Sequence, residues 1–280
     1  VVQISAFIDL ALAYHLPIGA VSSLAYAQTL YILPGSLFGM SVSAAELPAM
    51  SSALGTDEEI ATQLRARLNA GMERIAFFIV PCVIAFLALG DIVTGAFFQT
   101  GAFKRANTIW VWEILIGSTV GLLASTLGRL DSSTYYALRD TRTPLKFALI
   151  RIALTTVLGV ICAFQLPGWL GLDPKVGAAG LTASAGIAGW VEFILLRRGL
   201  TRRIGRTGLS LRYVVKLWIA GLGAALLASA GRFVLPTSRP LLLAVLSLGT
   251  FAIAYGVFGV GLHIPEANML AAKLRRRSGV

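Results

Sequence analysis

The chain has 280 residues, 56% hydrophobic and only 13% charged, with a formal net charge of +11 and a mean hydropathy of +0.79. A soluble domain carries about 25% charged residues, and this much apolar surface has no soluble core able to cover it, whereas lipid accepts it. No basic face on a soluble module accompanies the charge, so a nucleic-acid partner is not expected, and the excess of Lys and Arg reads as membrane topology.

A helix needs about 20 apolar residues to cross the hydrocarbon core. In chain order the candidate spans are 1–16, 20–46, 75–98, 108–130 with a helical extension to Ala137, 144–165, 176–196, 213–235 and 241–262. The expected fold is therefore all-α and integral to the membrane, with about eight transmembrane helices. Pro17-Ile18-Gly19, Gly55-Thr56-Asp57, Thr100-Gly101, Pro167-Gly168, Asp173-Pro174, Pro236 with Pro240, and Pro265 punctuate the runs. None alternates as a β-barrel strand does. Val1-Val2-Gln3-Ile4 shows neither an initiator Met nor a signal peptide, so the chain reads as a fragment.

Between the second and third runs, residues 57–70 open with Asp57, Glu58 and Glu59 and repeat Ile60, Leu64 and Leu68 at four-residue spacing. This pattern predicts a short amphipathic helix on the cytoplasmic surface, or an ordinary solvated linker helix. Eighteen of the 24 Lys and Arg residues fall on one set of alternating loops and five on the other, with Arg129 inside a span. Both ends of the chain are thereby expected in the cytoplasm. Trp110, Trp112, Trp169 and Trp218 suit interfacial belts, while Trp190 reads as mid-helix packing.

Charges inside a membrane are costly and are usually paired or functional. Asp9 lies within the first run, Glu46 at the end of the second and Arg129 within the fourth. Asp131 cannot pair with Arg129, because residues two apart point away from each other on a helix. Cys82 and Cys162 sit in apolar runs and read as small buried hydrophobes. His15 and His263 stand alone, and no metal-ligand cluster or CxxC is present. Nor is there a paired carboxylate, HExxH or Ser/His/Asp constellation to carry chemistry, so an enzyme is not expected.

Two segments carry a resemblance. Tyr26-Ala27-Gln28-Thr29-Leu30-Tyr31-Ile32-Leu33-Pro34-Gly35-Ser36-Leu37-Phe38-Gly39, with Ala45-Glu46-Leu47-Pro48 beyond it, resembles the MurJ/MviN motif YADRLYQLPLGLFG…LLP. Tyr135-Tyr136-Ala137-Leu138-Arg139-Asp140-Thr141-Arg142-Thr143-Pro144-Leu145-Lys146 resembles that family's FYARQDTRTPVK. The resemblance covers essentially the whole chain, in the order of helices seven to fourteen of a fourteen-helix flippase of the MOP superfamily. Residues 1–280 would then be the C-terminal lobe of a polytopic protein of the bacterial inner membrane, its partner the missing N-terminal lobe.

The resemblance implies a non-enzymatic role in peptidoglycan and cell-wall biogenesis. Lipid II, an undecaprenyl-pyrophosphate-linked disaccharide-pentapeptide, would be flipped from the inner to the outer leaflet by alternating access. A cationic cavity would hold pyrophosphate and sugar, and a groove along the last two helices the polyprenyl tail. The residues implied for the cavity are Arg129, Gln28, Thr29, Glu46 and Asp9. Independently of the resemblance, Arg139, Arg142 and Lys146 crowd the cytoplasmic membrane surface and read first as positive-inside anchors, with head-group capture or gating as the alternative. Some members bind a cation in this lobe through an acidic residue matching Asp9, so a coupling ion, sodium or proton, comes into question. The matching positions on the fifth span are Thr155 and Gly159, and Gly159 supplies no ligand.

One departure matters. The family's Asp-Arg is Gln28-Thr29 here, and Thr29 brings a hydrogen bond but no charge to a phosphate. Arginines of the other lobe with Arg129 could suffice, the cargo could be another polyprenyl-linked glycan or a cationic drug, or transport could be lost in favour of an envelope-assembly scaffold. Alone, the lobe is expected not to transport.

Overall fold

The computed structural model describes residues 2–52, 55–234 and 240–277. The turn expected at Pro236 lies outside them, as do the side chains of Asp57, Arg232, Arg239 and residues 275–277. The helices are α1 Val2–Ala13, α2 Ala20–Pro34, α3 Ser41–Ser51, α4 Asp57–Phe98, α5 Arg105–Ala137, α6 Arg142–Val160, α7 Leu166–Leu170, α8 Gly177–Ile204, α9 Leu211–Val234, α10 Pro240–Gly261 and α11 Pro265–Arg277. Among the described residues, seven helical stretches are long and apolar enough to cross a membrane.

The first expected span differs. Its helix α1 has 12 residues, about 18 Å at 1.5 Å per residue, against a hydrocarbon core of about 30 Å. The second runs on past residue 46 to Ser51 as one stretch from Ala20, despite Pro34 and Pro48. A proline lacks the N–H that closes the preceding turn, and after Pro34 the backbone widens into a π-helical segment, Gly35–Met40. There Ser36 Oγ donates to the Ile32 carbonyl and Ser41 Oγ to that of Leu37, so the loosened turns stay satisfied without water. A second π segment, Ile161–Gln165, precedes Pro167 and α7.

Residues 57–70 form no separate element: they are the first turns of the 42-residue α4. Their stripe is packed in protein, with Leu64 and Leu68 fully buried. A Cβ on Gly71 would meet Leu130 Cδ2 at 2.8 Å, so α4 and α5 approach closely at that point. The sixth span continues past residue 196 to Ile204, carrying Arg197, Arg198, Arg202 and Arg203 on the helix.

The chain divides into two compact units, Val1–Ile75 with Ile109–Gly208, and Ala76–Thr108 with Leu209–Val280. In the first, small residues let helices touch at backbone distance. Added Cβ atoms on Gly177 and Gly180 of α8 would lie 2.3 and 2.4 Å from the carbonyls of Ala163 and Cys162. The Ala163 carbonyl is the one that Pro167 cannot engage, four residues on. In the second unit, Tyr255 of α10 donates to the Phe77 carbonyl at 2.9 Å and stacks beside Phe251. The turn into α11 places His263 at φ 55°, with Ile264 N donating to the Gly259 carbonyl at 2.9 Å.

Candidate functional site: a polar cavity within the first unit

A cavity of about 310 Å³ lies within the first unit. Asp9 of α1, Gln28 and Tyr31 of α2, Ser125 of α5, Arg151 of α6 and Thr182 of α8 line it. Glycines 121, 186 and 189 also face it, and their missing side chains leave the room. Tyr31 Oη and Ser125 Oγ are 3.1 Å apart, and Thr182 Oγ1 donates to the Ile114 and Ala179 carbonyls, both at 3.0 Å. Arg151 Nη1 meets Glu192 Oε2 at 3.1 Å, and its charge also bears on the Asp9 carboxyl.

Of the residues expected in a cavity, Asp9 and Gln28 are brought together here and the others stand elsewhere. Thr29 is exposed on α2, its hydroxyl on the Ala25 carbonyl at 2.9 Å. Arg129 is exposed on α5 and lies off the cavity wall. Glu46 is buried on α3 and takes Arg74 at 3.1 Å and Arg67 at 3.7 Å from α4.

A Cβ on Gly159 would sit 3.1 Å from Leu181 Cδ1, 3.2 Å from Leu12 Cδ1 and 3.6 Å from Ser184 Oγ, so the position is packed by two leucines and a buried serine and itself brings no side-chain ligand. Thr155 is buried, with no partner for its hydroxyl among the described residues, and Arg151 lines the same cavity as Asp9.

The second motif builds a junction. Arg139 takes the left-handed conformation, φ 57°, and ends α5 in a Schellman turn. Its N–H donates to the Tyr136 carbonyl and that of Asp140 to the Tyr135 carbonyl, both at 2.9 Å. Asp140 then caps α6. Its Oδ1 accepts from the Arg142 and Thr143 amides, each at 3.0 Å, and its Oδ2 accepts from Thr143 Oγ1 and Arg203 Nη2, both at 2.6 Å. Arg203 also covers the ring of Tyr135, whose hydroxyl donates to the Leu196 carbonyl at 2.9 Å. The motif thus ties α5, α6 and α8 together at one end, leaving Arg139, Arg142 and Lys146 exposed.

The Thr143 hydroxyl and amide, and after them the Arg203 guanidinium, hold the Asp140 carboxyl well below the usual carboxylate range. A depressed folded-state pKa gives stability that is present above the unfolded value, 3.8, and lost as pH falls through the lower folded one. The melting temperature of Asp140→Asn is therefore expected to trail the parent by a constant margin from about pH 8 to about pH 5. The gap narrows only below about pH 4, as thermal melts across that range will test.

Two buried carboxylates, Asp131 and Asp91, were not among the residues expected at a site. Asp131 is fully buried, with no hydrogen-bond partner for either oxygen among the described residues. Arg197 bears on it but gives its own N–H groups to the Thr207 carbonyl and to Met72 Sδ. In the second unit, buried Asp91 pairs with Arg105 at 3.3 Å. The signal for Asp91 and Asp131, a carboxylate inside an apolar run, was present in the sequence.

Comparison with known proteins decides the family. The model of the family described as "Lipid II flippase MurJ" matches residues 1–219. The chain belongs to the MurJ family. It is 30% identical over 263 residues to the "Probable lipid II flippase MurJ" of Rhizobium meliloti (strain 1021), covering 88% of this chain and 46% of that protein. With the "Lipid II flippase MurJ" of Burkholderia cenocepacia it shares 29% identity over 204 residues, 72% of this chain and 37% of the relative. A solved structure, "Lipid II flippase MurJ, inward closed conformation", superposes with a TM-score of 0.74 at 23% identity, covering 93% of this chain and 51% of the other. The chain spans about half the length or less of these relatives. The structural likeness establishes the fold, and this MurJ-family segment is an all-α, multi-pass membrane protein.

Proposed function

We propose that the chain is the C-terminal lobe of a transporter that moves lipid II from the inner to the outer leaflet of the bacterial inner membrane. The observation that carries this reading is the family match over residues 1–219, with relatives named for lipid II. Flipping breaks no covalent bond and needs no catalytic residue. The inward-closed state named for the solved relative fits an alternating-access cycle, in which this lobe is one of two moving bodies. Asp9 and Gln28 contribute to the polar interior, while exposed Arg129 and Thr29 are free to meet cargo or the other lobe. Arg139, Arg142 and Lys146, at the Asp140 junction, meet anionic head groups on the cytoplasmic side. Both ends of the segment, and the start of α4, lie on that side.

The test uses the intact protein in cells depleted of their own lipid II flippase. Lipid II is expected to become cleavable by a periplasmic toxin that attacks it. Stable insertion without restored cleavage would point to another polyprenyl-linked cargo.

A further inference from the structure

We propose that α11 is a membrane-surface helix whose partner is the anionic head groups of the bilayer. Its 13 residues, Pro265–Arg277, reach about 20 Å, too short for a hydrocarbon core of about 30 Å. Nor do they prolong α10. The left-handed His263 ends that helix, its N–H on the Val260 carbonyl at 3.0 Å, and Ile264 is fully buried at the turn. A Cβ on Gly259 would lie 2.9 Å from that of Ala267, so the first turn of α11 folds against the last turns of α10.

The face that α11 sets against α10 then runs on uncovered. Ala267, Leu270, Ala271 and Leu274 recur at helical spacing, within an arc of about 100°. Ala267 is buried, yet Leu270, one turn further, is 45% exposed. An apolar stripe that starts where a span ends lies level with the boundary between acyl chains and head groups. The charge pattern says which surface receives it. Glu266, the one acid of the helix, is buried at the end nearest α10. Lys273 is exposed, and Arg275, Arg276 and Arg277 follow it in sequence. The charge that the helix carries away from the protein is therefore basic, as lipid phosphates require. Each cation near an anionic leaflet is worth about fivefold in partition, and long stems let Lys and Arg reach head groups from a backbone lying at the interface.

The proposal rests on the flippase reading only for the leaflet, the cytoplasmic one, and its test needs no cargo. The intact protein, with its native cysteines replaced, carries one spin label, introduced through Leu270→Cys or through Asn268→Cys, an exposed position outside the stripe. In phosphatidylglycerol vesicles the label at position 270 is expected to collide mainly with oxygen, which concentrates in lipid. The label at 268 collides mainly with a neutral nickel chelate, which stays in water. Moving the protein to phosphatidylcholine lowers the oxygen-to-nickel collision ratio at position 270 by about twofold or more. Lys273→Gln, Arg275→Gln, Arg276→Gln and Arg277→Gln together do the same in phosphatidylglycerol. The lipid exchange leaves the chain unaltered, so the test stands even if the glutamine variant fails to insert. Three results would overturn the proposal. Little access for either reagent at position 270 would mean that protein covers the face. Nickel access equal to that at 268 would mean that the helix stands in water. A ratio indifferent to lipid charge would mean that the cations do not hold it. The expected ratios in a protein that fails to move lipid II would remove the flippase reading alone.

Discussion

Replacing Gly121 with Leu is expected to remove most of the folded, monodisperse protein from detergent extracts. Gly117 and Gly121 lie four residues apart on α5 and share one face. A Cβ on Gly121 would sit 2.5 Å from the Gly186 Cα of α8, and one on Gly117 would sit 2.3 Å from the Ala179 carbonyl oxygen. The obstacles are backbone atoms on a crossing helix, so no rotamer change relieves the clash. Overpacking a core that can shift its side chains costs about 1–3 kcal/mol, and a backbone-on-backbone clash exceeds that range. Total stabilities are only about 5–15 kcal/mol. The control is Gly189→Ala on the same α8, where an added Cβ meets nothing within 4 Å and helix propensity gains about 1 kcal/mol. Size-exclusion profiles and melting temperatures of the two variants should therefore move in opposite directions. A Gly121→Leu protein as stable as the parent would mean that α5 and α8 do not cross at backbone distance.

Hydropathy and the alternation of basic loops were enough to locate the seven long helices, because both follow from lipid acting as solvent. They failed where packing within the protein overrides that rule. Arg65, Arg67 and Arg74 resemble a loop, yet nothing among them stops a helix, and α4 runs through them. The π segments could not be read, because the carbonyls that they loosen next to Pro167 are met by glycines of α8 remote in sequence. Arg151 is one of the eighteen basic residues that the loop alternation assigns to a single side of the membrane. It lies nine residues beyond Arg142, the first residue of α6, or about 13 Å along the helix, and that depth marks it as interior. Gln28 and Asp9 converge because α1 and α2 fold back at Gly19, where φ is 94°. Thr29, one residue further round α2, is turned about 100° away. Of the motif residues expected in a cavity, Gln28 reaches this one and Thr29 and Glu46 do not, because the geometry depends on the rotation of each helix about its own axis.

Removing both Arg67 and Arg74 is expected to damage the protein far more than neutralising the carboxylate that they share. The Glu46 side chain is only 10% exposed, whereas those of Arg67 and Arg74 are 47% and 57% exposed. With Glu46→Gln, the two guanidiniums turn to water and the cost is about 1 kcal/mol, the scale of an exposed pair. With Arg67→Ala and Arg74→Ala together, a buried charge is stranded, which costs about 3–5 kcal/mol. Each single arginine variant falls near the lower figure, since the other cation remains within reach. Adding Glu46→Gln to the double arginine variant is then expected to recover most of the loss, a sign opposite to simple additivity. Melting temperatures of the five proteins in one detergent decide the point. If the double arginine variant melts no lower than Glu46→Gln, then Glu46 is hydrated, and the contact between α3 and α4 is held by packing rather than by charge.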